Sequence, residues 1–199
     1  MRVITGIARG MRLDTLPGDA VRPTADKVKE ALFSILQFEL EGRRVLDLFA
    51  GSGQMGLEAV SRGAAHAVLV DQSKEAIRII RKNAEKTRLA DDCTIVCSDF
   101  AEYLRTRRGR EPFDIVFIDP PYAMRACRAA VEAILEKRLL APHGILVLES
   151  AEAIEKIRGI TRCAFNAPVV LMVCGDKEEA WVNPFNNRSS AEMDCSIVT

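Results

Sequence analysis

The residues with the clearest chemical content are Asp119, Pro120, Pro121 and Tyr122, which directly follow the apolar run 115–118. Four apolar residues in a row predict a strand that is buried on both faces, and open α/β sheets bind ligands beyond the carboxyl ends of such strands. The two prolines stiffen the segment and leave the Asp119 carboxylate and the Pro120 carbonyl as acceptors. Two acceptors suit the two hydrogens of a nucleobase amino group, and Tyr122 could stack on the base. The alternative is an ordinary loop in which Asp119 caps a helix.

A glycine-rich loop is the second stretch that could bind a ligand. Gly51, Gly53 and Gly56 spell G-x-G-x-x-G directly after an apolar run, and Asp71 ends the next apolar run. Glycines in this context let a nucleotide-type ligand approach the backbone, and the acid accepts hydrogen bonds from two ribose hydroxyls. The alternative is a tight turn that needs glycine only for its dihedral angles, with Asp71 as a helix cap.

Asp47, which precedes this loop, bears on which nucleotide-type ligand is bound. A dinucleotide would place its diphosphate at the loop, where a nearby carboxylate repels it. S-adenosylmethionine would instead bring an ammonium and a sulfonium, which the same carboxylate attracts. The sequence therefore favours S-adenosylmethionine, and the alternatives for Asp47 are exposure to solvent or hydrogen bonds to loop amides.

Asp99 ends the third apolar run as Asp71 ends the second. Its carboxylate could accept a hydrogen bond from an adenine amino group while Phe100 packs on the ring. An equally balanced interpretation makes Asp99 the N-cap of the following helix.

The elements that must position these residues alternate along the chain. Apolar runs and helical stretches follow one another, which predicts a doubly wound, Rossmann-like α/β sheet that is mostly parallel. Thr24 is predicted to cap a helix over 25–39, Ser73 to cap a later helix, and Gly63 to close the helix after Gly53. A last hairpin over 164–174 and 178–185 would add antiparallel strands at the sheet edge. The predicted strands of the main sheet are 45–50, 67–71, 94–99, 114–119 and 144–150.

The amino-terminal residues have a different pattern. Segments 2–7 and 11–16 alternate apolar and polar residues around Arg9 and Gly10, which predicts a small β-hairpin. Arg9 and Arg12 on this hairpin are candidates for contacts with nucleic-acid phosphates.

Composition and charge limit the classes of function. The 199 residues are 48% hydrophobic, which fits one domain, and 28 basic residues balance 28 acidic ones, so a nucleic-acid contact must come from a local patch. Six cysteines without a C-x-x-C pair and two histidines suggest neither a metal site nor a disulfide framework. The chain shows no signal-peptide pattern and no 18-residue apolar run. We therefore expect a cytoplasmic protein with reduced thiols that acts as a monomer.

The chain resembles the class I methyltransferases that carry a D-P-P-Y signature and modify amino groups of bases. Within them it is most similar to the bacterial ribosomal RNA guanine-N2 methyltransferases of the RsmD type. The resemblance runs over MRVITGIARGMRL, RPTADKVKEALFSIL, LDLFAGSGQMGLEAVSRGA and DPPY to about Glu149. The chain departs from the family pattern after Cys174, where CGDK and EEAWVNPFNN replace an aromatic-Gly-Asp-Thr run before the last strand.

The resemblance implies S-adenosylmethionine as the cofactor and a guanine N2 of 16S ribosomal RNA, in a small-subunit particle, as the target. We expect residues 1–20 to form an RNA-contacting hairpin, 21–185 to form the methyltransferase domain and 186–199 to be a loose tail. The catalytic residues implied are Asp119, Pro120 and Tyr122. The cofactor-binding set is Asp47, Ala50, Gly51, Gly53, Asp71, Gln72, Asp99 and Phe100. The substrate-binding set is Arg9, Arg12, Arg22, Thr24 and Pro121.

Three alternatives stay open at the level of sequence. An amino-adenine (N6) methyltransferase acting on DNA or RNA would use the same four residues from Asp119 to Tyr122. A NAD-dependent oxidoreductase is suggested by the glycine loop with Asp71. A binding module that retains the S-adenosylmethionine pocket without turnover is the third possibility.

Overall fold

A computed structural model describes residues 1–16, 23–107, 110–120, 124–149, 169–174 and 177–182. These residues form one seven-stranded sheet in the order β3-β2-β1-β4-β5-β6-β7, with helices in the connections between β1 and β5. The strands are β1 Arg44–Asp47, β2 His66–Asp71, β3 Cys93–Cys97, β4 Phe113–Ile118, β5 Leu140–Glu149, β6 Val169–Cys174 and β7 Lys177–Val182. The helices are α1 Pro23–Ile35, α2 Gln54–Ser61, α3 Lys74–Thr87, α4 Phe100–Thr106 and α5 Met124–Glu136, with a 3-10 turn at Ala90–Asp92.

The strands from β1 to β5 are covered on both faces, as the uninterrupted apolar runs predict. Neighbouring residues of one strand point to opposite faces, so Val45 joins the core beneath α1 to α3 whereas Leu46 joins the core beneath α4 and α5. Ile115 and Val116 of β4 divide in the same way. The doubly wound α/β fold predicted from the sequence is thus confirmed, and each of the five predicted strands of the main sheet overlaps an observed one.

The amino-terminal segment does not form the regular hairpin predicted over 2–7 and 11–16. Its two arms meet at an isolated antiparallel bridge between Arg2 and Arg12, and residues 5–10 form a bend followed by a turn. The physical reason is that several of its N–H groups are directed toward α2 instead of across a ladder; for example, Ile7 N–H donates to the Ser61 carbonyl at 2.8 Å. Val3, Ala8 and Leu13 meanwhile bury their side chains in the main core.

Helix α1 begins and ends earlier than predicted. It starts at Pro23, so Thr24 lies inside the first turn and the predicted N-cap at Thr24 is wrong. Proline is well suited to the first turn because its fixed φ is already helical and the N–H it lacks would have had no partner within the helix. The helix stops at Ile35 rather than continuing to residue 39, and residues 36–39 continue as a turn.

The carboxyl-terminal hairpin is present with shifted bounds. β6 and β7 pair antiparallel with each other, within the predicted region, but β6 runs parallel to β5. Only β7 therefore runs against the direction of the sheet, where two antiparallel strands were predicted. The predicted tail 186–199 lies outside the described residues.

Three cysteines lie where the structure describes side chains, namely Cys93, Cys97 and Cys127, and all three are free thiols. In the described part of the chain, no group of three or more histidine, cysteine or acidic side chains is arranged to hold a metal ion. No described helix combines the length and the apolar character that crossing a membrane requires.

Candidate active site

Strand register brings three predicted carboxylates to one edge of the sheet. Asp47 is the last residue of β1 and pairs with Leu69 of β2 and Phe117 of β4. Asp71 and Asp119 each follow one of these partners by two residues, so each lies about 6–7 Å further along the strand direction. The chain winds from β1 to β2 and β3 on one side and to β4 and β5 on the other, which makes the β1/β4 junction the topological switch point where such sheets bind ligands.

The glycine loop between β1 and α2 opens onto this edge. Gly51 and Gly53 adopt positive φ angles of +53° and +80°, which residues with a Cβ rarely adopt. A Cβ placed on Gly51 would meet no atom within 4 Å, so the backbone there faces open space. Ala50 is buried, and its N–H donates to the Val70 carbonyl at 2.9 Å, which ties the loop to β2. The loop therefore leaves room for a ligand to contact its backbone at Gly51.

Gly56 has a different role from Gly51. A Cβ on Gly56 would approach Leu69 Cδ2 to 2.9 Å and Leu69 Cγ to 3.0 Å, inside the buried core. The third glycine of the motif thus permits close packing of α2 on β2, as the motif's structural logic requires.

Asp71 is fixed by two backbone donors. Its Oδ2 accepts from Gly51 N–H at 2.9 Å, and its Oδ1 accepts from Ser73 N–H at 2.8 Å. Ser73 in turn caps α3 as predicted, accepting from Ala76 N–H at 3.3 Å. Each carboxylate oxygen has a second lone pair, so this arrangement leaves acceptor capacity for hydroxyl donors.

Asp47 is buried rather than at an open mouth, with a relative exposure of 3%. Its Oδ2 accepts from Gly56 N–H at 3.0 Å, so Asp47 does bind a backbone amide, but this amide belongs to the first turn of α2 and not to the loop that was predicted. Burial raises the pKa of Asp47 to about 7, the Gly56 hydrogen bond opposes this rise, and the negative charge of Asp71 adds to it. A cation bound near Asp47 would lower this pKa again. An anion bound there would raise it further and would be repelled by Asp71 and by ionised Asp47.

Asp99 follows the third strand and serves as the N-cap of α4. Its Oδ1 accepts from Ala101 N–H at 2.9 Å and from Glu102 N–H at 3.3 Å. The exposed carboxylate thus realises the capping interpretation, which does not occupy all of its lone pairs. Phe100, the first residue of α4, packs against Phe49 with ring centroids 5.2 Å apart. Gln72, after β2, is exposed.

The end of β4 is described as far as Pro120. Asp119 is exposed and Pro120 is half-buried. Burial is the main cause of a rise in the pKa of the Cys127 thiol to about 11, and the negative charge of Asp119 contributes to it. The predicted site residues Pro121 and Tyr122 lie outside the described residues.

The predicted substrate contacts are less completely described. Arg9 and Arg12 have exposed side chains on the amino-terminal segment. Thr24 lies in the first turn of α1, and Arg22 falls outside the described residues.

Two residues near the glycine loop were missed from the sequence. Phe49 lies between the β1 strand and the loop and forms the aromatic pair with Phe100. Asn83 is fully buried in α3, and its amide nitrogen donates to the Ser52 carbonyl at 2.9 Å and to the Asp14 carbonyl at 3.0 Å. The burial of Asn83 could have been predicted from the sequence, because Asn83 lies three residues after Ile80 on the apolar face of α3 that starts at Ile77.

Comparison with known proteins relates this site to a family. Residues 1–165, which include Asp47, Asp71, Asp99 and Asp119, match the protein family described as Conserved hypothetical protein 95. The Bacillus subtilis protein YlbH is 37% identical over 156 residues, covering 78% of this chain and 85% of YlbH. Ribosomal RNA small subunit methyltransferase D of Escherichia coli K12 is 34% identical over 150 residues, covering 75% of this chain and 74% of that protein. The solved structure of Escherichia coli yhhF matches with a TM-score of 0.65 and 32% identity, over 73% of this chain and 77% of yhhF.

Proposed function

The chain belongs to the family of the ribosomal RNA small subunit methyltransferase D proteins, and on that premise we propose that it methylates the exocyclic N2 amino group of a guanine in small-subunit (16S) ribosomal RNA, using S-adenosylmethionine. The observation that carries this proposal is the pairing of a buried carboxylate, Asp47, with a glycine loop whose backbone is open at Gly51. A compact cationic donor suits this arrangement better than a diphosphate does.

The residues present fit such a donor. Asp47 and the backbone around Gly51 would hold its methionine end, where the ammonium and the nearby sulfonium offset the cost of ionising a buried acid. Asp71, already oriented by two N–H donors, would accept from the ribose hydroxyls. Asp99 would use its remaining acceptor capacity for the adenine amino group, with Phe100 beside the ring. Ala50, Gly53 and Gln72 complete the proposed donor set.

At the reacting end, the donor supplies a methyl group bonded to a positively charged sulfur. The Asp119 carboxylate and the Pro120 carbonyl would accept the two hydrogens of the guanine amino group, and Tyr122 would stack on the base. This holds the nitrogen with its lone pair directed at the methyl carbon, which an amino group conjugated with the ring does not present readily. The donor would become S-adenosylhomocysteine on giving up its methyl group, and the guanine nitrogen would lose one proton to Asp119 or to water. Arg9, Arg12, Arg22, Thr24 and Pro121 would bind the surrounding RNA.

The oxidoreductase alternative fits the site less well. Asp47 and Asp71 lie close enough that the charge of Asp71 raises the pKa of Asp47, so a diphosphate at the loop would add a third negative group. A nicotinamide cofactor is therefore expected not to bind, and calorimetry with NAD and with S-adenosylmethionine compares the two directly.

A pair of aspartate variants tests the proposed role of the β4 end. Asp119→Ala is expected to reduce methyl transfer to small-subunit particles by at least about a thousandfold, because positioning and proton acceptance are both lost. Its Kd for S-adenosylhomocysteine, measured by calorimetry, should stay within a few-fold of the wild-type value. Asp92→Ala is the control, since Asp92 is an exposed carboxylate at the opposite end of a strand, just before β3. Loss of both donor binding and transfer in Asp119→Ala would show that its role is misassigned.

A further inference from the structure

The amino-terminal segment is attached to α2 through a buried carboxylate. Glu58 is fully buried, its Oε2 accepts from Ile4 N–H at 2.7 Å, and its Oε1 accepts from Thr5 N–H at 3.0 Å. An acid in the apolar run from Leu57 to Val60 is not explained by donor binding, because Glu58 lies in the second half of α2, away from the glycine loop. Its partners are instead backbone groups of the segment that carries the predicted RNA contacts.

Ser61 continues this attachment at the last residue of α2. Ala8 N–H donates to Ser61 Oγ at 3.0 Å, and Ser61 Oγ donates to the Thr5 carbonyl at 2.7 Å. Ile7 N–H donates to the Ser61 carbonyl at 2.8 Å. The N–H groups of residues 4, 5, 7 and 8 are thus all satisfied by two residues of α2, and we call residues 4–8 the anchored turn.

Two basic side chains accompany the buried Glu58. Arg62 Nε lies 2.7 Å from Oε1, and Lys29 Nζ lies 3.6 Å from Oε2 while also donating to the Arg2 carbonyl at 2.8 Å. A buried ionic cluster of this kind stabilises a fold little more than apolar packing of the same volume would, because desolvation offsets the attraction. Its particular effect is to fix the geometry of the groups that it binds.

The anchored turn displays a surface suited to RNA. Ile7 projects from it with a relative exposure of 82%, and Arg2, Arg9 and Arg12 are exposed around it. No acidic residue occurs before Asp14. Exposed arginines suit phosphates, and an apolar tip among them suits a base or ribose face, so the surface combines two contacts that RNA binding uses.

The same segment is tied to the glycine loop at its other end. Asn83 accepts from Asp14 N–H at 2.8 Å while donating to the Asp14 and Ser52 carbonyls. Helix α2 itself runs from the glycine loop to Ser61 over eight residues, a length of about 12 Å. The anchored turn is therefore held at a fixed distance from the loop proposed to bind the methyl donor.

We infer that Glu58 and Ser61 are positioning residues for RNA binding, which hold the anchored turn so that Ile7 and its neighbouring arginines contact RNA in register with the methyl-transfer site. This inference rests on the proposed function for the identity of the nucleic acid. It assigns to α2 two ends with different tasks: the amino end supports the donor loop, and the carboxyl end supports the substrate contact.

Two glycines provide a matched pair of test variants. Gly6 and Gly10 have φ angles of +88° and +80°, so alanine at either position incurs the same kind of backbone strain. A Cβ on Gly6 would collide with the backbone carbonyl of Ser61, whereas a Cβ on Gly10 would meet no atom within 4 Å. Gly6→Ala should therefore displace the anchored turn from α2, and Gly10→Ala should leave it in place.

The measurement is the affinity of each variant for a fluorescent fragment of small-subunit ribosomal RNA, followed by anisotropy. We expect Gly6→Ala to raise the RNA Kd at least about tenfold over Gly10→Ala, with the Kd for S-adenosylhomocysteine within about twofold in both. Equal RNA affinity in the two variants would overturn the inference. In a Gly6→Ala protein shown to be folded by circular dichroism, a parallel loss of S-adenosylhomocysteine binding would also overturn it, since the turn would then support the donor site as well.

Ser61→Ala is the second variant and serves if Gly6→Ala does not fold. It introduces no clash, but it removes the acceptor of Ala8 N–H and the donor to the Thr5 carbonyl, so a smaller rise in RNA Kd, about threefold, is expected. Unchanged RNA affinity in a folded Ser61→Ala would count against the inference.

The RNA-binding readout separates this inference from the proposed function. A wild-type protein that binds RNA and responds to Gly6→Ala, but transfers no methyl group, would sustain the inference and contradict the proposed function. A wild-type protein that methylates RNA with the same KM as Gly6→Ala would contradict the inference alone.

Discussion

At the scale of single residues, Asp47 is expected to couple donor binding to pH. Its pKa of about 7 means that a proton must leave before the carboxylate can attract a cation. We expect the Kd for S-adenosylmethionine to rise about eightfold as the pH falls from about 7.5 to about 6, because only the ionised form binds well. Calorimetry at several pH values measures this. Asp47→Asn should bind more weakly and lose this pH dependence, and a variant that kept the dependence would exclude Asp47 as its source.

The same residue makes the stability of the donor-free protein depend on pH. The folded-state pKa of Asp47, about 7, lies above its ordinary value of 3.8, so the folded form holds a proton that the unfolded chain releases. Stability from the neutral form is full below about pH 3.8 and is lost as the pH rises toward 7 and through it.

Asp47→Asn keeps an acceptor for Gly56 N–H without the charge, so it should raise the free energy of unfolding at pH 7.5 by at most about 4 kcal/mol. At pH 4.5 the gain should be much smaller. Urea unfolding at the two pH values checks this. An equal effect at both would mean that Asp47 does not titrate as described.

The sequence predicted the identity of these carboxylates better than their surroundings. Asp47, Asp71 and Asp119 were predicted because strand ends meet at one edge of a parallel sheet, and their register confirms that placement. The burial of Asp47 could not be predicted, since it depends on how closely α2 packs at Gly56.

At the scale of elements, the glycine motif has two sides. Gly51 faces open space where a ligand could bind, and Gly56 faces the core, where α2 packs on β2. Gly51→Ala should leave α2 in place and lower the affinity for S-adenosylmethionine at least about tenfold, with a stability cost of about 1 kcal/mol from its positive φ. Gly56→Ala should show the opposite balance, because its methyl group would press on Leu69, and we expect a loss of about 1–3 kcal/mol in stability. Calorimetry and urea unfolding of both variants measure the two effects. Wild-type affinity in Gly51→Ala would contradict the assignment of the loop.

The hairpin predicted for the amino-terminal segment was wrong because its N–H groups bind acceptors that are distant in the sequence. The alternation in residues 2–7 and 11–16 favours a hairpin, yet Glu58 and Ser61 accept the N–H groups that a ladder would use. Neither residue is near this segment in the sequence, so no local pattern could indicate the pairing. The main strands were predictable because burial on both faces leaves a continuous apolar run.

At the scale of the whole molecule, balanced charge limits RNA affinity to local patches. Three exposed arginines on the amino-terminal segment should give a slope of log K against log salt of about −2 to −3. Arg9→Ala combined with Arg12→Ala should make this slope shallower by about 1.5, as measured by anisotropy between about 50 and 300 mM KCl. The control pairs Arg105→Ala with Arg110→Ala, two exposed arginines between β3 and β4. A larger effect in the control would place the RNA contact elsewhere.

The order of strands β1 to β5 could be predicted from the sequence, but the direction of the edge strand β6 could not. Alternating apolar runs and helices permit few topologies, and the observed order β3-β2-β1-β4-β5 is one of them. The direction of β6 depends on the connection after β5, and no residue pattern there specified whether the strand returns parallel or antiparallel.

The proposed reaction of the whole protein, methyl transfer to a guanine N2 of small-subunit ribosomal RNA, can be tested directly. The purified protein would be incubated with isotopically labelled S-adenosylmethionine and unmodified small-subunit particles, and the digested RNA would be analysed by mass spectrometry. We expect labelled N2-methylguanosine in the wild-type reaction and its absence with Asp119→Ala. Labelled N6-methyladenosine, or no labelled nucleoside from a protein that binds the donor, would contradict it.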